Sequence, residues 1–383
     1  MLKKILLTLV MLLLVLLVLF NYTAIPESFD QNSQSAELMQ LGDYPVVMQK
    51  LTAVDELRTV PDKRVKGQTL PRSIDYRVWY PDVSAVHDQA AKPMPLVLYS
   101  HGMMGNYDEG LHYAKHFVSH GYVFVAPNFP LSTMSNGQRA DSSDVINQPA
   151  DISFLLDLLL ERNQDSTDPL YRLIDTDKIV AMGLSLGGMT THMLGYDTKR
   201  IDNRIDALVA VAAPSEMFSA KYFATRSLPY LGIASPQDAF IDYPANALPV
   251  LEKIAQSVLL TIDGGSHTGY AYQSRWLRWL DNPDSIGCDQ VKKNLDSTLD
   301  EGDSLYAELG SVEQSYIVKT DIQICESVLT PAMNPIRQNE LTLLAAWSFL
   351  QCQFSTAPQP YCTFLSEGMA AEHSSVSYRE GSR

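Results

Sequence analysis

The sequence predicts an α/β protein: a mostly parallel, eight-stranded sheet flanked by helices, with a cysteine-containing insertion before the last helix. Three observations lead there. Short apolar runs alternate with amphipathic stretches along most of the chain, which implies right-handed crossovers in an open parallel sheet. Several runs, among them Leu96-Val97-Leu98-Tyr99 and Ala207 to Val211, are apolar throughout, as strands buried on both faces must be. One run, Lys178 to Leu194, is broken by Gly-Leu-Ser-Leu-Gly-Gly, although glycine weakens strands and helices alike.

Composition sets the limits. With 383 residues, 46% hydrophobic and 19% charged, the chain can bury one large core or two modest ones. Its net charge of −15 excludes a nucleic-acid surface, which needs clustered lysine and arginine.

The elements come in order along the chain. Lys3 and Lys4 precede an apolar block from Ile5 to Phe20, and the next charge is Glu27. Residues 1–27 are therefore read as a signal peptide or a membrane anchor. The block is long enough to span a bilayer and no clean small-x-small site succeeds it, so both readings stay open. Residues 28–43 are polar and poorly patterned and are read as a linker, with the main folded domain over 44–383.

Strands are expected at Pro45 to Leu51, Ile74 to Tyr80, Pro95 to Ser100, Tyr122 to Ala126, Lys178 to Met182, Ala207 to Val211, Tyr230 to Ala234 and Ser257 to Ile262. Helices are expected at Leu111 to Ser119, Pro149 to Arg162, Leu186 to Leu194 and Ala245 to Gln256. After Leu280 the composition changes, and from Asp281 to Glu326 acidic residues outnumber basic ones by eleven to three. Residues 281–337 read as an acidic, solvated insertion, and a helix from Asn339 to Gln351 returns to the sheet. Cys288, Cys325, Cys352 and Cys362 are the four cysteines; an even number fits two disulfides in an oxidising compartment, with three pairings possible.

The glycines of the broken run make sense if strand turns sharply into helix around Ser185. Small residues two before and two after the serine relieve clashes at such a corner and leave its hydroxyl exposed. A helix starting at Leu186 points its amide groups at the same spot, which suits an anion forming beside the serine oxygen. A serine hydroxyl needs a base, and the base needs a carboxylate to orient it. Ser-Pro-Gln-Asp238 comes after one strand and Gly-Gly-Ser-His267 after the next, so nucleophile, acid and base stand in the order Ser185, Asp238, His267. Asp242 and Asp263 are the other carboxylates weighed for the acid. Two oxyanion donors are expected: the backbone N–H of Leu186, and that of Met103 in the Ser100-His101-Gly102-Met103-Met104-Gly105 loop.

Ser100-His101-Gly102 after a strand, DTDKIVAMGLSLGG, SPQD and GGSH together resemble the α/β-hydrolase fold. WYP before the first of these, VINQPADISFLLD and a cysteine-bearing tail resemble the bacterial predicted dienelactone-hydrolase group, related to platelet-activating-factor acetylhydrolases. The resemblance covers roughly residues 70 to 270 plus the last helix, and implies no metal or organic cofactor. The pattern departs where true dienelactone hydrolases carry a nucleophilic cysteine and this chain has Ser185, and where many relatives have histidine and this chain has Leu184.

Other histidines receive plainer readings. His101 packs beneath the site, and His192 packs inside its helix. His112, His116 and His120 recur every four residues; without an accompanying HExxH carboxylate they read as a partly exposed helix surface rather than a metal site. The functional expectation is an exported serine esterase, periplasmic or extracellular, free or membrane-tethered, acting on a small-molecule or lipid ester. A phospholipase A2-like or acetylhydrolase activity on lipid and a non-catalytic binding scaffold are the alternatives.

Overall fold

Strands that are apolar on both faces must lie inside a sheet covered on both sides, and the central strands do so. The computed structural model describes residues 2–62, 65, 67–85, 92–135, 139–295, 309–317 and 324–381. Its sheet contains β1 (Val46–Pro61), β2 (Thr69–Pro81), β3 (Met94–Ser100), β4 (Val123–Asn128), β5 (Ile174–Leu184), β6 (Ala207–Val211), β7 (Tyr230–Ala234), β8 (Ser257–Ile262) and β9 (Val376–Glu380). The spatial order is β1-β2-β4-β3-β5-β6-β7-β8-β9. From β4 to β8 every pairing is parallel, whereas β1 and β2 at one edge and β9 at the other pair antiparallel.

The sheet thus has nine strands rather than the expected eight. β9, Val-Ser-Tyr-Arg-Glu, lacks an apolar run because it sits at an edge with only its first residue fully buried. Its pairing partner β8 lies more than a hundred residues upstream, joining Val258 to Glu380 and Ile262 to Val376.

The helices are α1 (Leu2–Tyr22), α2 (Gln34–Leu38), α3 (Leu111–Ser119), α4 (Gln148–Arg162), α5 (Leu186–Tyr196), α6 (Ala220–Phe223), α7 (Tyr243–Asn246), α8 (Val250–Lys253), α9 (Asp284–Leu295), α10 (Pro335–Phe354), α11 (Gln359–Thr363) and α12 (Met369–Glu372). On one face of the sheet, Ile152, Leu155, Leu156 and Leu159 of α4 join Met189, Met193 and Leu194 of α5 in a single apolar cluster. On the other, Tyr113, Phe117 and Val118 of α3 pack with Leu341, Leu344 and Phe349 of α10. Each fully buried leucine stabilises the fold by about 1.5–3 kcal/mol. Arg72 of β2, almost fully buried, bridges Asp144 (2.8 Å) and Asp151 of α4 (2.6 Å), fixing the edge hairpin to the helical layer.

Four expectations change. The helix expected over 245–256 splits into α7 and α8, because Pro249 offers no amide to continue the helix and caps α8 instead. Residues 28–43 are no free tether: α2 docks on the body, where the buried Ser35 hydroxyl donates to Glu372 (2.5 Å) and meets His373 Nε2 (2.7 Å). His116 is buried rather than a surface residue, its ring meeting Trp347 of α10 edge-on at 5.1 Å, whereas His112 stays partly exposed with its ring stacked on Tyr272 at 6.1 Å. His120 is half-buried, with Nε2 on the Gln40 carbonyl (2.9 Å). Finally, the acidic insertion is partly buried where it begins: α9 is pinned by the Cys288–Cys325 disulfide, and Cys352–Cys362 joins α10 to α11. Residues 296–308 and 318–323 of the insertion lie outside the described residues.

Candidate active site

The corner between β5 and α5 brings Ser185 to the surface of a cavity. Its backbone has φ 56° and ψ −118°, a left-handed conformation that costs a non-glycine residue about 1–3 kcal/mol. The flanking glycines are required by space. A Cβ on Gly183 would lie 2.2 Å from the Gly187 carbonyl oxygen, and one on Gly187 would lie 2.0 Å from that of Ser100. The Ser185 amide donates to Val211 of β6 (2.9 Å), which locks the corner to the neighbouring strand. Among the described residues the Ser185 hydroxyl makes no hydrogen bond, and it faces the same cavity as His267.

His267 comes after β8 and Asp238 after β7, adjacent parallel strands whose ends converge. His267 Nδ1 lies 2.8 Å from Asp238 Oδ2. The other oxygen, Asp238 Oδ1, accepts the amides of Phe240 (2.8 Å) and Ile241 (2.9 Å), so the carboxylate is held from both sides. The Phe240 ring stacks on the imidazole at 4.4 Å. Of the other two carboxylates, Asp242 caps α7 by accepting the Ala245 amide (2.9 Å), while the Asp263 backbone amide donates to the Ser375 carbonyl (2.7 Å). Burial pushes the His267 pKa down, but the charge and hydrogen bond of Asp238, with the charges of Asp284 and Glu109 behind them, outweigh it and leave the pKa raised.

The loop after β3 presents a backbone donor. The Phe129 amide donates to His101 Nε2 (3.1 Å), which places the ring proton on Nδ1, 2.6 Å from the Gly102 carbonyl. Burial pushes the His101 pKa down to about 4, so this neutral tautomer persists. With the Gly102 carbonyl held, the trans peptide turns the Met103 amide the opposite way. Met104 donates to Ser132 (2.8 Å) and Gly105 to Gly102 (3.0 Å), whereas the Met103 amide has no acceptor among the described residues. Leu186 opens α5, where the first amides of a helix have no intrahelical partner. Both residues line the cavity.

Two carboxyl groups that sequence reading passed over belong to this site. Asp284, fully buried at the start of α9, accepts backbone amides from both converging loops: His267 (2.9 Å) and Ala239 (3.2 Å) on Oδ2, Thr268 (2.7 Å) on Oδ1. Nothing in the sequence separates it from the ten other acidic residues of its stretch. Glu109, also buried, accepts the Gly102 amide (2.8 Å) and the Tyr99 hydroxyl (3.1 Å) on Oε1. Burial raises its pKa to about 7, against the lowering effect of those two bonds. Gln338 of α10 clamps the histidine loop from the far side, accepting the Ser266 amide (3.0 Å) and donating to the Ser266 carbonyl (2.7 Å).

The cavity has a volume of about 520 Å³. Leu184, Met189, Ile241, Val291 and Ile324 form apolar walls, Glu109, Glu216 and Asp242 supply carboxyl groups, and among the described residues no lysine or arginine lines it. His192 is buried in α5, with its ring nitrogens on the Pro214 carbonyl (3.2 Å) and the Tyr230 hydroxyl (2.9 Å). Among the described residues no group of three or more histidines, cysteines or carboxylates converges to hold a metal ion.

No protein-family model matches the chain, and no curated protein matches it.

Proposed function

We propose that this chain is a serine hydrolase of the α/β-hydrolase fold that cleaves carboxylic esters through an acyl-enzyme. The observation that carries the reading is the 2.8 Å pair of His267 and Asp238, with the imidazole facing the same cavity as a strained serine and two backbone amides that have no partner among the described residues.

In this reading Ser185 Oγ attacks the ester carbonyl while His267 Nε2 takes its proton. Asp238 keeps the proton on Nδ1 and stabilises the imidazolium. The amides of Met103 and Leu186 bind the tetrahedral oxyanion, a contribution of about 3–4 kcal/mol per donor. His267 then protonates the leaving alcohol, and water repeats the sequence on the acyl-enzyme. The Ser185–His267 hydrogen bond forms when substrate closes the site, as often happens in such enzymes. Asp284 acts as a positioning residue that ties the acid loop to the base loop. No step calls on a metal or an organic cofactor.

An apolar N-terminal helix and two disulfides support export, to the periplasm or the cell exterior. The deciding experiment is labelling with a fluorophosphonate probe. Wild type is expected to be labelled and Ser185→Ala is not; a folded wild type that stays unlabelled leaves the non-catalytic scaffold as the reading. A second reading, lipid ester hydrolysis, is favoured by the apolar walls and by the position of α1. It predicts higher turnover of dispersed phospholipid than of short p-nitrophenyl esters.

A further inference from the structure

α1 has 21 residues, which at 1.5 Å per residue match a hydrocarbon core of about 30 Å. Its described leucines and valines stand exposed. The segment C-terminal to α1 is strapped to the body. Arg278 donates to the carbonyls of Thr23 (3.3 Å) and Phe20, Asn334 donates to that of Ala24 (2.8 Å), and Arg337 to that of Glu27. The body cannot swing freely about the end of this helix.

The surface at the strap is apolar and aromatic. Phe20 stacks with Trp276 (6.5 Å) and Trp279 (5.4 Å), and Leu280 and Ile286 are exposed nearby in the chain. Trp276 is 57% and Trp279 46% exposed, unusual for the largest apolar side chain. In a chain of net charge −15, cations gather beside them: Lys115 and Arg275 lie over the Tyr272 ring at 5.8 and 4.8 Å, and Arg278 over Phe20 at 4.7 Å. Tryptophan next to lysine and arginine at the end of an apolar helix is the composition of a membrane–water interface. The same two segments line the cavity, through Ala271 and Gln273 on one and Gly287 and Val291 on the other.

We propose that the face carrying Phe20, Trp276, Trp279, Leu280 and Ile286 rests in the headgroup layer of the bilayer that α1 enters, so that the cavity opens at the membrane surface. Lys3 and Lys4 then remain on the cytoplasmic side and the body on the other. The docked orientation stands without catalysis. Its consequence, that esters dissolved in the membrane reach Ser185 without crossing bulk water, rests on the hydrolase reading.

Tryptophan fluorescence tests the orientation, because the chain has four tryptophans and the other two, Trp79 and Trp347, are buried. The full chain is reconstituted in phosphatidylcholine vesicles with and without brominated acyl chains. Brominated lipid is expected to quench wild-type emission and to leave the Trp276→Phe/Trp279→Phe variant unquenched. Unquenched wild type in floated vesicles overturns the proposal, as does quenching that persists in the double variant. A mature chain that has lost residues 1–27 and does not float with vesicles overturns it too. Fluorophosphonate labelling of the same samples is read separately: quenching without labelling sinks the hydrolase and keeps the docking, and labelling without quenching does the reverse.

Discussion

Replacing Asp284 by asparagine tests whether the insertion serves the reaction or only the fold. The carboxylate accepts three buried amides, and hydrogen bonds to a charged group contribute about 1.5–3 kcal/mol each. Asp284→Ala strands all three, a loss of roughly 4–9 kcal/mol against a total stability of about 5–15 kcal/mol, and is expected not to accumulate as folded protein. Asp284→Asn keeps one carbonyl for the His267 and Ala239 amides and turns an NH2 toward Thr268, a loss of about 2–4 kcal/mol. It also removes a negative charge that helps to raise the His267 pKa. The base must be neutral, so kcat/KM rises as pH climbs through that pKa, and in Asp284→Asn this acid limb should move to lower pH. Denaturant unfolding and a pH profile of ester hydrolysis read both effects. A purely structural Asp284 would lower stability and leave the acid limb in place; an unchanged limb refutes the coupling, and an unchanged midpoint refutes the clamp.

Glu109 makes the opposite limb. With a pKa near 7 its carboxyl is neutral at lower pH and ionises above, placing a negative charge beside the forming oxyanion. Activity should fall on the alkaline side, and Glu109→Gln should abolish that fall while lowering the His267 pKa; a profile with its alkaline limb intact contradicts the assignment. Gly187→Ala forces a methyl against the Ser100 carbonyl, and should yield protein that is insoluble or unlabelled by fluorophosphonate. Soluble, labelled Gly187→Ala would show that the corner has slack. Arg72→Leu leaves the buried Asp144 without its cation and Asp151 with Arg58 alone (2.8 Å), and should cost about 3–5 kcal/mol in denaturant unfolding. A wild-type midpoint would mean that water already screens the cluster.

Local pattern carried much of the architecture. β6, β7, β8 and α3 occupy the bounds that the sequence suggests, because a doubly buried strand or a short amphipathic helix states its surroundings in its own residues. The glycines at 183 and 187 likewise report a crowded corner without any knowledge of what crowds it. For the candidate site, the same reading named Ser185, His267 and Asp238, and the fold brings them together: His267 meets Asp238, and the imidazole faces the same cavity as the serine.

Sequence alone located the segments whose character depends on neighbours a few positions away: the buried central strands, the helices at Leu111 and Leu186, the corner and the apolar N-terminal block. Tertiary structure decided the rest. It chose Cys288–Cys325 and Cys352–Cys362 from three possible pairings, added β9 at the edge, covered His116 with α10, docked α2 on Glu372, and selected Asp284 from eleven similar acids. Each of these depends on groups brought together by the fold rather than by the local periodicity of the chain. An amide or an imidazole that arrives from a distant segment leaves no mark on the pattern of the residue it meets.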